Sequence, residues 1–221
     1  MKKEYDVKNI VLSGFGVFGT YPVNPTKIVA QQLHGRTVSG FKIYSRVFSA
    51  AIPRGNLGRN LLGMARDLNA SGVISLGMDS GKIGICVESA AVNRFFNEKY
   101  LPSYLNGTAI TNRYPQEQRF GLDLKPWQIP LFQCYCHHSG IPIMDISMDA
   151  GGFCCNHLMY QVRLTQLTYG LYSQIPFIFI HIPCSPEAIL DPHAFAKLGK
   201  VMIPIEQVMN AVELLLACAV L

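Results

Sequence analysis

The stretch KNIVLSGFGVFGTYPVNPTKIVAQQL, residues 8 to 33, joins two different periodicities. Lys8 to Ser13 is a short apolar run ending at Gly14, the pattern of a buried strand. Thr26 to Leu33 repeats apolar residues at helical spacing, with Asn24 and Pro25 ahead of it as start signals. Strand, loop and helix in this order form the building unit of an α/β domain, and the rest of the chain repeats it. Phe41 to Val47 alternates apolar and polar residues as a strand does, and Asn56 to Leu68 is helically spaced and leads into a buried strand at Val73 to Leu76. Farther on, Leu131 to His138 reads as a helix behind Pro130, Pro142 to Ser147 as a strand, and Asn156 to Leu167 as a helix. Phe177 to Ile182 (FIFIHI), rich in aromatic and β-branched residues, reads as a strand. The alternation predicts an α/β fold, with a largely parallel or mixed sheet covered by helices on both faces.

With 221 residues, 49% of them hydrophobic, the chain can bury a sizeable core, and a single domain over residues 1 to 221 is expected. The net charge is +5, but the cations are scattered (Lys2, Lys3, Arg46, Arg54, Arg59, Lys197, Lys200). No dense basic run marks a nucleic-acid footprint, and a small-molecule or peptide partner fits better. Ile203 to Leu221, the longest apolar candidate for a membrane span, carries Glu206, Gln207, Asn210 and Glu213 at helical spacing and reads as a packed amphipathic helix. At the amino terminus Glu4 and Asp6 interrupt the basic start, and the apolar run Ile10 to Leu12 is too short for a signal peptide. The seven cysteines are odd in number and fall mostly in apolar segments, which points to reduced thiols in a cytoplasmic protein rather than to a disulfide framework. Between Asn93 and Ile129 the periodicity fails among prolines, glycines and polar residues. A loop of that length in a compact domain is expected to be a lid or a binding surface.

Ligands of open α/β sheets bind beyond the carboxyl ends of the strands, here the loops after Ser13, Leu76, Ser147 and His181. The segment MDAGGFCCNHLMY, residues 148 to 160, sets Cys154 and Cys155 at the start of a helix. Unpaired N–H groups and the helix dipole there favour a thiolate, and the same N–H groups suit an oxyanion developing during acyl transfer. His181 stands near the end of its strand and Glu88 lies in GKIGICVESAAVN, residues 81 to 93. An imidazole can take a thiol proton and return it to a leaving amine, and a carboxylate can hold that imidazole in the productive tautomer. The residue types alone leave plainer readings open. Free cysteine is among the most buried residues, His181 could be a satisfied core histidine, and Glu88 a solvated side chain. Cys134, Cys136, His137 and His138 form a CxCHH run without the second pair of a structural zinc site and within one helix, so no metal site is expected there.

Taken together, GFGVFGTYPVNPT (14 to 26), GKIGICVESAAVN (81 to 93), AGGFCCNHLMY (150 to 160) and FIHIP (179 to 183) resemble the pyroglutamyl peptidase I family of cysteine peptidases, in the family's order and over nearly the whole chain. The family pattern around the nucleophile, Ala-Gly-Thr-Phe-Val-Cys-Asn-His, sets Cys155 in the nucleophile's place and Cys154 in that of a valine of the pocket wall. The resemblance implies a Glu88, Cys155, His181 triad in a three-layer α/β/α domain, phosphorylase/hydrolase-like in architecture. It also implies Phe15 and Phe18 around a pyrrolidone ring, with Asn24, Met78, Phe153 and Cys154 completing the pocket. The implied activity is removal of pyroglutamate from the amino terminus of a peptide, with no metal or organic cofactor, by a homo-oligomer that in the family is often a tetramer. Departures stand at Val17 for a proline, Met78 for a glutamine, Ser89 for an arginine and Asp149 for a threonine, and a further family arginine has no clear match, Arg94 and Lys99 being the nearest cations. They keep open a second reading, a diverged protein with an altered amide substrate or an inactive lactam- or peptide-binding role.

Overall fold

The computed structural model describes residues 7–50, 55–197 and 199–221; Lys2, Lys3, Glu4, Asp6 and Arg54 of the sequence reading lie outside the described residues. In chain order the elements are β1 (Lys8–Phe15), α1 (Pro25–Leu33), β2 (Thr37–Val38), β3 (Phe41–Phe48), α2 (Leu57–Asp67), β4 (Ala70–Met78), β5 (Cys86–Glu88), β6 (Ala90–Val92) and β7 (Arg119–Gly121). They continue with α3 (Ile129–His138), α4 (Cys154–Thr168), β8 (Phe177–Ile182), α5 (Pro192–Lys197) and α6 (Ile205–Cys218).

Six strands form one sheet in the order β2-β3-β1-β4-β8-β5. Strands β3, β1, β4 and β8 run parallel, and the short strands β2 and β5 close the two edges antiparallel. Strands β6 and β7 pair separately as an antiparallel ribbon. The expected α/β architecture with a mixed, mostly parallel sheet is therefore present. The period of two in each strand sorts its side chains between two cores. Ile10 and Leu12 of β1, with Ile178, Ile180 and Ile182 of β8, pack with residues of α1, α3 and α6. Val11 and Phe15 of β1, with Phe177 and Phe179 of β8, face the opposite way and pack with α2 and α4. His181 follows Phe177 and Phe179 in this alternation, so its ring projects toward the α4 side.

Two boundaries matter for function. Helix α4 begins at Cys154, ahead of the expected Asn156, which brings both thiols into its first turn. The strand expected over Pro142 to Ser147 is not formed as such. Only isolated parallel bridges join Ile143 to Ile85 and Ser147 to Glu88. The N–H of Met144 donates to Ile85 O and that of Ser147 to Val87 O, so the segment advances three residues while β5 advances two. An extra residue of this kind interrupts a ladder as a bulge does, and it leaves Ile146 exposed. No helix among the described residues is long and apolar enough to cross a membrane.

Candidate active site

Strand register brings the site together before any side chain is considered. Gly77 of β4 lies opposite His181 of β8, and on the other side of β8 Glu88 of β5 lies opposite Phe179. Phe179 and His181 share a face, so Glu88 is the diagonal cross-strand neighbour of His181, within reach of a long side chain. The imidazole Nδ1 stands 2.7 Å from Glu88 Oε1, with both side chains buried. A carboxylate can only accept, so Nδ1 carries a proton, and in the neutral ring the lone pair that can act as a base is on Nε2. Phe179 meets the imidazole edge-on at 5.1 Å and limits its tilt.

The thiol arrives from the opposite layer. Gly77 has no side chain where Cys155 lies: a Cβ built there would stand 2.7 Å from Cys155 Sγ. The nucleophile candidate thus rests over bare backbone at the strand position paired with His181. The turn before α4 is shaped by Gly151, whose φ of +73° is in the left-handed region, and by Gly152, where a Cβ would come within 2.3 Å of Phe96 O. Asp149 Oδ1 accepts the Gly151 N–H at 3.0 Å, which gives this departure from the family pattern a role in the turn. No side chain caps the amino terminus of α4, so its first-turn N–H groups remain available to a ligand.

Cys154 and Cys155 have different surroundings. Cys154 is buried, its thiol donates toward Ala50 O at 3.4 Å, and burial pushes its pKa up to about 12. Cys155 is partly accessible and lines the same cavity as His181. Its titration runs against the expectation of a stabilised thiolate: burial, and then the charges of Cys154, Asp79 and Glu88, push the thiol up. The neutral thiol is the resting form. Glu88 is ionised for the opposite balance: burial would raise it, but the hydrogen bond and charge of His181, with Ser147 and Lys82, hold it below the usual carboxylate range.

All the pocket residues named from sequence except Glu88, which stands behind His181, line one cavity: Phe15, Phe18, Asn24, Met78, Phe153 and Cys154. Phe15 is buried against Phe48, whereas Phe18 is at the centre of an aromatic group with Tyr21 at 5.6 Å, Tyr100 at 5.5 Å and Phe153 at 6.5 Å. Asn24 acts through the backbone. Its Oδ1 accepts from Thr26 N at 3.0 Å as the cap of α1, and its Nδ2 donates to Gly16 O at 2.9 Å, fixing the loop that carries Phe18. Met78 Sδ accepts from the buried Cys184 thiol at 3.7 Å. Ser89, in place of an arginine, donates to Ser147 O at 2.9 Å.

The long segment after Asn93 contributes Asn97 and Tyr100 to the cavity. Asn93 anchors it: Nδ2 donates to Thr111 O at 2.8 Å and Tyr114 O at 2.7 Å, and Oδ1 accepts from Thr111 N at 2.9 Å. Arg94 is exposed over Phe96 and Lys99 over Tyr100, and no lysine or arginine lines the cavity among the described residues. Sequence reasoning missed Lys82, Asp79, Tyr21, Asn97 and Tyr100 as site residues. The available signal for Lys82 was its place in the same motif as Glu88. No group of three or more His, Cys, Asp or Glu side chains among the described residues could hold a metal ion.

Known proteins are similar to this chain in sequence and in fold. A pyrrolidone-carboxylate peptidase from Oceanobacillus iheyensis is 29% identical over 96% of this chain and 99% of its own, and one from Chromobacterium violaceum is 31% identical over 86% and 85%. The solved pyroglutamyl peptidase I of Bacillus amyloliquefaciens superposes with a TM-score of 0.78 at 23% identity, covering 97% of this chain and 95% of that one. The pyrrolidone carboxyl peptidase of Thermococcus litoralis gives 0.77, also at 23% identity, over 96% and 93%. The sequence matches the pyroglutamyl peptidase family over residues 8–112 and 127–220, and the chain belongs to that family.

Proposed function

We propose that Cys155, His181 and Glu88 carry out the removal of N-terminal pyroglutamate that family membership assigns to this chain. The observation that carries this reading is the buried Glu88–His181 pair at 2.7 Å, facing the cavity that Cys155 also lines. Because the thiol rests neutral, His181 Nε2 takes its proton as Sγ attacks the pyroglutamyl carbonyl, and Glu88 stabilises the imidazolium that forms. The tetrahedral oxyanion falls to the uncapped N–H groups at the start of α4, since no lysine or arginine lines the cavity among the described residues. The imidazolium then protonates the leaving amine. Water, deprotonated by His181, cleaves the thioester and releases pyroglutamate. Phe15, Phe18, Phe153, Met78 and Cys154 give the flat, neutral lactam apolar walls, and Asn24 holds the loop of Phe18 in place.

The test is release of a fluorescent amine from a pyroglutamyl amide under reducing conditions, with Cys155→Ser and Cys154→Ser side by side. Loss of the nucleophile is expected to lower kcat by at least about 10³-fold, and the wall substitution by less than about tenfold. Activity lost only on changing Cys154, or no turnover while Cys155 is alkylatable, overturns the reading. The continuous sheet supports treating the chain as one domain, and light scattering decides the homo-oligomer that the family resemblance implies.

A further inference from the structure

Glu88 Oε1 accepts from two directions. Besides His181 Nδ1, Lys82 Nζ stands 2.9 Å from the same oxygen, with its side chain only 14% exposed. The turn after β4 delivers it: Lys82 N–H donates to Asp79 O at 3.1 Å, and Asp79 N–H to Ile182 O at 2.9 Å, folding the turn back over β8. Nζ also lies 3.4 Å from Ser147 Oγ and 3.7 Å from Cys86 Sγ.

We propose that Lys82 is a positioning residue that fixes the Glu88 carboxylate and sets the pH range in which His181 can accept the Cys155 proton. This rests on the assignment of Cys155 and His181 as the reacting pair. An ammonium beside a buried carboxylate does two things. It neutralises a charge that burial alone would drive toward protonation, and it opposes the pull of that carboxylate on an imidazolium. The groups facing the pair are Glu88 and Cys86 of β5, Lys82 and Asp79 of the turn after β4, Ser147 of the bulged segment, and Cys154 beside Cys155 on α4. Of these Lys82 supplies the positive charge: it holds Glu88 from behind the triad, and its charge reaches Cys155 and His181 through space whether or not the carboxylate is there. Burial pulls the Lys82 ammonium down, but the hydrogen bond and charge of Glu88 more than restore it, so it stays cationic throughout the working range. A fixed positive charge makes every proton of the pair easier to remove. Taking it away moves both limbs of a bell-shaped rate profile to higher pH, whereas loss of a merely structural contact lowers the rate without moving the limbs.

The experiment compares the parent protein with Lys82→Met and Lys82→Arg in two assays. One is kcat/KM on a pyroglutamyl amide from pH 5 to 10. The other is the rate of iodoacetamide alkylation, located to Cys155 by fragment-ion mass spectrometry, over the same range. Lys82→Met is expected to move both limbs and the alkylation curve upward by about 0.5–1 pH unit, while Lys82→Arg follows the parent. A Lys82→Met protein with lowered kcat and the parent's pH dependence overturns the proposal. The alkylation assay needs no substrate, so a shifted curve without any turnover would sink the functional reading and leave the role of Lys82 standing. If Lys82→Met does not melt cooperatively, the same substitution in a Glu88→Gln background leaves no buried carboxylate unpaired. It is expected to shift the alkylation curve upward relative to Glu88→Gln alone, and an unmoved curve there counts against the proposal.

Discussion

Gly77 and His157 show how much a single position can decide. A methyl group on Gly77 would lie 2.7 Å from Cys155 Sγ and 2.8 Å from Phe179 Cζ, so Gly77→Ala must displace one of them. The expected result is a fall in kcat of about 10²-fold, with slower alkylation of Cys155, because misplacing a reacting atom by about 1 Å costs about that much. His157, in the first turns of α4, is buried beside Phe95 at 5.1 Å, and burial pulls its pKa down from 6.5 to about 4. Between those values the unfolded chain binds a proton that the folded one refuses, so this residue's contribution to stability is present above pH 6.5 and is lost as the pH falls. Urea unfolding at pH 7 and pH 5 should show a drop of about 2 kcal/mol in the parent that is absent in His157→Phe. At this scale the meeting of Glu88 with His181, and of His181 with Cys155 at one cavity, was legible because four motifs stood in a known order. The protonation state of Cys155 was not, since the depth of its burial depends on Gly77 and Phe179, far away in sequence. Lys82 stayed hidden because its partner is reached only when the turn after β4 closes.

Strands and helices in the middle of the fold were read with small errors, and the failures have a common origin at the edges. The apolar runs of β1, β4 and β8 are buried on both faces, and α1 and α2 carry capping asparagines, so local pattern and packing agree. Pro142 to Ser147 looks equally strand-like, but it runs beside the three-residue strand β5 with one residue too many, a mismatch that only the partner reveals. The short strands β2, β6 and β7 have no periodicity long enough to detect. The start of α1 bears on the cavity through its cap, Asn24. Asn24→Ala removes its cap, worth about 1 kcal/mol, and frees Gly16 O. A melting temperature lower by about 2–4 °C is expected, together with a raised KM as Phe18 loses its fixed loop; differential scanning calorimetry and steady-state kinetics measure the two.

Across the whole molecule, the carboxyl ends of three parallel strands converge on one cavity through Phe15, Met78 and His181, the location that open α/β sheets favour for ligands. Because that cavity draws on both halves of the chain, its occupant should stabilise all of it. Free L-pyroglutamate at a hundredfold excess over its Kd is expected to add about 2.7 kcal/mol and to raise the melting temperature by about 5–10 °C, in the parent and in Cys155→Ala alike. Thermal shift against ligand concentration checks this. The amide of Asn93 has a consequence of its own. By gripping both Thr111 and Tyr114 it buckles a strap of chain at a single clasp, with Arg113 presented at the surface between the two held residues. Undoing the clasp with Asn93→Ala should turn Arg113 into a preferred trypsin nick, and the strap's far end, with Tyr100, would come away from the cavity wall while Cys155, His181 and Glu88 kept their places.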